Sequence, residues 1–271
     1  MHDLRVAIRR FQQALVVFAP CFPAKDTKKT GRRLKRLMAL AGEVRNCDIA
    51  AHLLARSAKS PAIQEKIEAR RKEACVRLTA LLKRQADRHW YTKWRARLAE
   101  ADAAAHPNFS RSTIENIAGR ILPRMANDFF TQGNRAADAK ASARKLHEFR
   151  LTGKKFRYTL ELLEPVYGPG LRSRLEPIRA VQTLLGDVND CRAARDLIAA
   201  WEGSRELDAR LRKRQRRKTR EFAAKWQETL SGGKEAQQWT RYLRGVEAKT
   251  PVPRKAAGRA RSAASSAAHV A

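Results

Sequence analysis

MHDLRVAIRRFQQALVVFAPCF, residues 1–22, and LHEFRLTGKKFRYTLELLEPVY, residues 146–167, are two versions of one segment. They align without a gap at an offset of 145 residues. In both copies, apolar residues recur at spacings of three, four and seven, which is the pattern of an amphipathic α-helix. The stretch therefore predicts a helical chain with an internal duplication. The matched pairs include His2 with His147, Arg5 with Arg150, Arg9 with Lys154, Phe11 with Phe156 and Leu15 with Leu160.

A second block supports the duplication. GEVRNC at 42–47 matches GDVNDC at 186–191 at an offset of 144, and a weaker match places Trp94 on Trp226. Two blocks in the same order at nearly the same offset are hard to obtain by chance. They predict two similar helical bundles related by a pseudo-twofold axis. Because a helix precedes the second copy but nothing precedes the first, we expect the first bundle to lack its leading helix.

The periodicity along the rest of the chain predicts an all-α fold, since no stretch shows the alternation of a half-buried strand. Gly42 is read as a break within a helix, and Gly133-Asn134 as a C-terminal stop signal. The predicted helices cover 2–20, about 27–58, 62–100, 111–132, 139–164, 171–202, 204–230 and 235–247. We expect one helical domain at 1–248, with repeats at 1–105 and 109–248, and a disordered basic tail at 249–271.

The charge narrows the choice of partner. The chain has 58 Lys and Arg against 27 Asp and Glu, a formal net charge of +31. Such a protein repels itself, and nucleic acid, an anionic membrane surface or polyphosphate would compensate the charge. No run of 18 apolar residues predicts a membrane span. The four cysteines form no C-x-x-C pair, so we expect no zinc site and a reduced, cytoplasmic protein. No other metal site and no cofactor are predicted.

Basic side chains form a row beside the apolar stripe of each copy, because residues three or four positions apart share a helix face. The next helix of each repeat adds more Arg and Lys, among them Arg179. Neighbouring helices would thus build a basic groove in each repeat, and the pseudo-twofold would join the grooves into one track for a linear polyanion. The predicted binding residues of this kind are His2, Arg5, Arg9, Arg32, Arg33, Lys35, Arg36, His147, Arg150, Lys154, Arg157 and Arg179.

His2 and His147 also invite a catalytic or metal-binding interpretation. A metal site needs further ligands, and the adjacent Asp3 and Glu148 point elsewhere at one-residue spacing on a helix. We therefore favour a packing or binding role for both histidines over catalysis and name no catalytic residue. Cys47 and Cys191 occupy matched positions and are predicted to be small core residues.

H-D-L-R-V-x-x-R-R-F and H-E-F-R-x-x-x-K-K-F, followed by G-E-V-R-N-C-D and G-D-V-N-D-C-R, resemble the CHAD family of conserved histidine α-helical domains. The resemblance runs from residue 1 to about 245. It implies two four-helix bundles around a basic groove or pore, binding of inorganic polyphosphate, and association with polyphosphate granules. It also adds Arg10 and Lys155 to the binding residues. The E-x-E-x-K signature of the triphosphatase-type domains that accompany many CHAD chains does not occur, so no enzyme activity is expected.

Two alternatives remain beside polyphosphate binding. A nucleic-acid-binding protein would be equally basic, and competition by nucleic acid for the groove would favour this alternative. Sequence readout or base stacking would, however, need a recognition helix or aromatic platforms that the sequence does not organise. An enzyme that acts on phosphorylated substrates would need a carboxylate cluster beside the groove. Insertion into a membrane surface would need an aromatic-rich apolar helix face, which no segment supplies.

Overall fold

The computed structural model describes residues 1–19, 22–55, 61–103 and 113–245, and the predicted tail at 249–271 lies outside the described residues. Within these ranges every regular element is a helix, so the predicted all-α fold is confirmed. Thr113 caps α5 and Ser142 caps α6, since each hydroxyl accepts a hydrogen bond from a backbone amide three residues on. The helices are α1 His2–Val17, α2 Ala24–Leu54, α3 Pro61–Asp87, α4 Trp90–Ala103, α5 Ile114–Ala137, α6 Ala143–Leu162, α7 Glu164–Tyr167, α8 Gly170–Ile198, α9 Arg205–Thr229 and α10 Gly233–Arg244.

The second repeat forms a bundle of α5, α6, α8 and α9, with α10 packed on α5. Its core is a cluster of aromatic rings around Trp226, which is fully buried. A Cβ atom at Gly133 would lie 2.0 Å from the Trp226 ring, so only glycine admits the indole there. The predicted stop at Gly133-Asn134 is therefore wrong. α5 continues to Ala137, and Asn134 Oδ1 accepts a 2.8 Å hydrogen bond from Trp226 Nε1.

The first repeat forms a smaller bundle from α1, α2, α3 and α4. Its core contains Ile8, Leu15, Leu34 and Leu78. Phe11 meets Trp94 of α4 edge to face, with ring centroids 5.1 Å apart.

Two boundaries in the first repeat differ from the predictions. The single helix predicted at 62–100 is two helices, because the chain turns at Arg88 and His89, where His89 has a φ of 46°. Conversely, α2 runs through Gly42 without a break. A Cβ atom at Gly42 would lie 3.0 Å from Arg5 Nη1, so this glycine provides space for a guanidinium rather than ending a helix.

The two repeats meet along their matched helices, since α1 packs on α6 and α2 packs on α8. Gln13 Nε2 donates a 2.8 Å hydrogen bond to Thr159 Oγ1 across this boundary. Within each repeat the acid of the second sequence block pairs with the following helix. Glu43 pairs with Arg77 at 2.5 Å, and Asp187 pairs with Lys218 at 3.3 Å. The duplicated block therefore pairs with the next helix in both repeats. The contacts between the repeats place the two rows of basic residues at one boundary.

Candidate anion-binding cleft

A cleft of about 510 Å³ lies along the boundary between the repeats. α1 and α6 form one side of it and α2 and α8 the other, so both repeats contribute to its walls. Eight Arg and Lys residues line the cleft against a single carboxylate, Asp190. The cations are Arg5, Arg9, Arg10, Arg45, Arg150, Lys154, Arg157 and Arg179, and His2 and Asn46 also contribute to the lining.

The structure brings together eight of the fourteen predicted binding residues in this one cleft. Arg32, Lys35 and Arg36 are exposed on the N-terminal half of α2 and do not line it. Arg33 lies over the Trp90 ring, 5.8 Å from its centroid. Lys155 is exposed beside Lys154, because adjacent helical positions point about 100° apart. The eight that line the cleft are His2, Arg5, Arg9, Arg10, Arg150, Lys154, Arg157 and Arg179.

His147 is separated from the cleft, unlike its counterpart His2. It lines a small pocket between α6, α8 and α9 together with Arg192 and Gln215. Burial lowers the pKa of His147, and the charges of Arg150 and Arg192 lower it further. The two matched histidines therefore occupy different surroundings, with His2 exposed at the cleft and His147 half-buried beside it.

Sequence reasoning missed the residues that the second block contributes. Arg45 and Asn46 of α2, and Asn189 and Asp190 of α8, line the cleft at matched positions of GEVRNC and GDVNDC. The block is continuous helix in both copies, so its polar residues lie one turn or less from the buried cysteine. Cys47 and Cys191 are buried, as predicted. The duplication of the polar residues beside them was the available signal.

The inner part of the cleft holds cations without neutralising partners. Arg9, Arg45, Arg150 and Lys154 form no ion pair with any residue in the part of the chain that the structure describes. Arg5 Nη1 has only a 3.5 Å contact with the Met38 carbonyl. Arg150 Nε is buried and has no hydrogen-bond partner among the described groups. These five side chains, Arg5, Arg9, Arg45, Arg150 and Lys154, are called the inner cations below.

The pKa values of three inner cations, Arg5, Arg150 and Lys154, are lowered by burial and by this crowding. Burial lowers the pKa of Lys154 to about 7, and the charges of Arg150, Arg9 and Arg5 add to the effect. Burial and the charge of Arg9 likewise lower the pKa of Arg5 to about 10. Desolvated like charges favour loss of a proton or capture of an anion. The inner cleft therefore favours the binding of an anion.

Asp190 compensates only part of this charge. Burial raises the pKa of its carboxyl, while the charges of Arg150 and Arg45 oppose the rise. With one carboxylate against five cations, the inner cleft has a formal charge of +4 when all groups are ionised. An anionic ligand would replace the lost hydration of these groups and supply acceptors for their donors.

The outer part of the cleft is partly neutralised, by one carboxylate among three arginines. Glu161 of α6 lies 2.6 Å from Arg157, 3.5 Å from Arg10 and 3.8 Å from Arg179, measured between carboxylate oxygens and guanidinium nitrogens.

Within the described residues, no group of three or more His, Cys, Asp or Glu side chains is placed to hold a metal ion. No described helix is long and apolar enough to cross a membrane.

A family comparison identifies the architecture. The model of the CHAD domain matches residues 1–199. The chain belongs to the CHAD family. The matched range of the CHAD model includes every residue that lines the cleft, while α9 and α10 lie beyond it.

The CHAD fold is also evident in a solved relative. A crystal structure of the CHAD domain from the plant Ricinus communis superposes on this chain with a TM-score of 0.58 and 20% sequence identity. The superposition covers 89% of this chain and 80% of the plant chain, which shows a shared fold. No curated protein matches the sequence.

Proposed function

We propose that this CHAD protein binds inorganic polyphosphate, without chemical conversion, in the cleft between its repeats. The observation that carries the proposal is the set of inner cations, which both repeats contribute and which no described carboxylate pairs. Arg guanidinium groups bind phosphate oxygens in pairs, and Lys adds a mobile point charge. A protein with this activity would accumulate on polyphosphate granules in the cytoplasm.

The lining of the cleft favours a chain of phosphates over a nucleic acid. Tyr158 is the one aromatic residue in the lining, and it is 5% exposed. The Arg157 guanidinium covers its ring, with 4.5 Å between Cζ and the ring centroid. Binding of single strands generally uses exposed aromatic faces on which bases stack. Polyphosphate has no bases and needs only the basic donors that the cleft offers.

The same lining favours binding over catalysis. Enzymatic phosphoryl transfer needs groups that orient a nucleophile and carboxylates that hold metal ions against the transferred phosphate. Asp190 is the one carboxylate in the lining, and burial raises its pKa among the surrounding Arg side chains. Glu161, beside the lining, is already paired with three arginines. These surroundings suit charge balance within the cleft better than metal coordination.

Titration with long-chain polyphosphate over a salt series tests the proposal. With five inner cations, we expect the logarithm of the association constant to fall against the logarithm of salt concentration with a slope of about −3 to −4. Duplex DNA at equal phosphate concentration should displace little of the bound polyphosphate. Absence of binding at low salt, or full displacement by DNA, would contradict the proposal.

The affinity should also depend on pH through Lys154. Below pH 7 its amine is protonated with or without ligand. Above pH 7 the free protein loses this proton, whereas neighbouring phosphates raise the pKa in the complex, so that binding takes up a proton. We expect the affinity of the wild-type protein to fall roughly tenfold or more between pH 7 and pH 9.

Lys154→Arg is the matched variant for the pH series, because it keeps the charge at all these pH values. Its affinity should stay nearly constant between pH 7 and pH 9. Long chains should be used, because terminal phosphates titrate near pH 6 and contribute little there. Parallel pH profiles for the two proteins would show that Lys154 does not change protonation on binding.

A further inference from the structure

Glu161 lies beside the cleft and pairs with arginines that line it. It is the shared partner of three arginines on three helices, Arg10 on α1, Arg157 on α6 and Arg179 on α8. Its side chain is only 11% exposed, whereas Arg10 is 61% exposed. The three guanidinium groups converge on one carboxylate at the end of a cleft whose remaining cations have no such partner.

The carboxylate is held by charge more than by hydrogen bonds. Arg157 Nη1 donates a 2.6 Å hydrogen bond to Glu161 Oε1. Glu161 Oε2 is buried and accepts no hydrogen bond from any described group, since Arg10 approaches it only to 3.5 Å. A buried oxygen without a donor loses hydration without full compensation. A phosphate has more acceptor oxygens than this carboxylate and would satisfy more of the arginine donors.

We propose that Glu161 is an internal counter-anion that occupies the outer phosphate subsite and limits the length of polyphosphate that the cleft binds. This inference rests on the proposed function. The inner cations, with a formal charge of +4 after subtraction of Asp190, bind a short segment of the chain. Phosphates beyond that segment compete with Glu161 for Arg10, Arg157 and Arg179, so they add little affinity.

The effect of chain length separates this role from a structural one. If Glu161 served only to tie α1, α6 and α8 together, its loss would weaken the binding of every ligand. If it occupies a subsite, its loss strengthens the binding of long chains and leaves short ones unchanged. Tripolyphosphate has about the charge of the inner segment and serves as the short probe.

The test compares Glu161→Gln with the wild-type protein for tripolyphosphate and for long-chain polyphosphate. We expect the variant to bind long chains roughly tenfold more tightly, with a salt slope steeper by about 1 to 2 as further arginines release counterions. Its affinity for tripolyphosphate should stay within about twofold of wild type. Glu228→Gln is the control, because Glu228 is exposed and pairs only with Lys225 among the described residues, and neither residue lines the cleft. It should change neither affinity.

The outcomes distinguish the inference from the proposed function. A wild-type protein that binds no polyphosphate overturns both. A wild-type protein that binds, together with a folded Glu161→Gln variant of equal or lower affinity for long chains, overturns only the role of Glu161. Equal gains for both ligands would show a general charge effect and also overturn it. If the variant does not fold, the wild-type affinity is measured against chain length instead. A longer chain can bind at more positions along its length, so each affinity is first divided by the number of these positions. The corrected affinity must level off at short chain length, and a continued rise would overturn the inference.

Discussion

We expect the triple substitution Arg9→Gln, Arg150→Gln and Lys154→Gln to lower the affinity for long-chain polyphosphate by at least about a hundredfold at low salt. All three side chains line the inner cleft, and none is paired with a described carboxylate. Each substitution removes a charge-assisted contact to phosphate. The salt slope should become shallower by about 2, since fewer counterions are released on binding.

The same triple substitution should stabilise the free protein. Burial and mutual repulsion lower the pKa values of Arg150 and Lys154, which means that the fold holds their charges at a cost. Neutral amides of similar size remove that cost. We expect the free energy of unfolding at pH 6 to rise by about 1–3 kcal/mol, as measured by denaturant titration. A variant that is more stable and yet fails to bind cannot be explained by misfolding.

A matched control lies on α9, where Lys213, Arg216 and Arg220 are exposed and make no ion pair with a described residue. Replacing these three by Gln changes the net charge by the same amount at a distance from the cleft. It should lower the affinity by no more than about threefold. If both triple variants lose affinity equally, binding depends on total charge and the cleft has no special role.

The second large effect concerns the fold. We expect Trp226→Ala to lower the free energy of unfolding by about 3–5 kcal/mol. The indole is fully buried, with ring centroids 5.2 Å from Phe149 and 5.4 Å from Phe129. Its removal leaves a cavity among packed aromatic rings and deprives Asn134 of its hydrogen bond. Denaturant titration monitored by circular dichroism measures the loss.

Gly133 provides the control for this packing. Gly133→Ala places a methyl group against the Trp226 ring, so it should destabilise the wild-type protein by about 1–3 kcal/mol. In the Trp226→Ala background the clash is gone, and alanine's helix propensity should make the same change stabilising by up to about 1 kcal/mol. A change of the same sign in both backgrounds would show that the two residues are not coupled.

Much of the architecture was predictable because it depends on periodicity. The apolar spacing of α1 and α6 predicted helices, and the two matched blocks predicted equivalent bundles. The errors arose where a distant side chain decides the local structure. Gly42 and Gly133 were read as breaks, but one accommodates Arg5 and the other Trp226 within continuous helices. No local pattern distinguishes such a glycine from a helix end.

The cleft was predictable only in part for a similar reason. The basic row of α1 and α6 was visible, because its residues share one helix face. The choice among the basic residues of α2 depends on where that helix crosses α8. Arg32, Lys35 and Arg36, in the N-terminal half of α2, are exposed and lie outside the cleft. Arg45, further along the same helix, lines it. The spacing of four residues between Arg157 and Glu161 is visible in sequence, but the approach of Arg10 and Arg179 to the same carboxylate arises only in the folded protein.

A crystal structure of the protein grown with tripolyphosphate would show where the ligand binds. We predict phosphate density in the cleft between the repeats, within hydrogen-bonding distance of Arg9, Arg150 and Lys154. Tripolyphosphate bound only to the exposed basic face of α9, with the cleft free of phosphate, would contradict it.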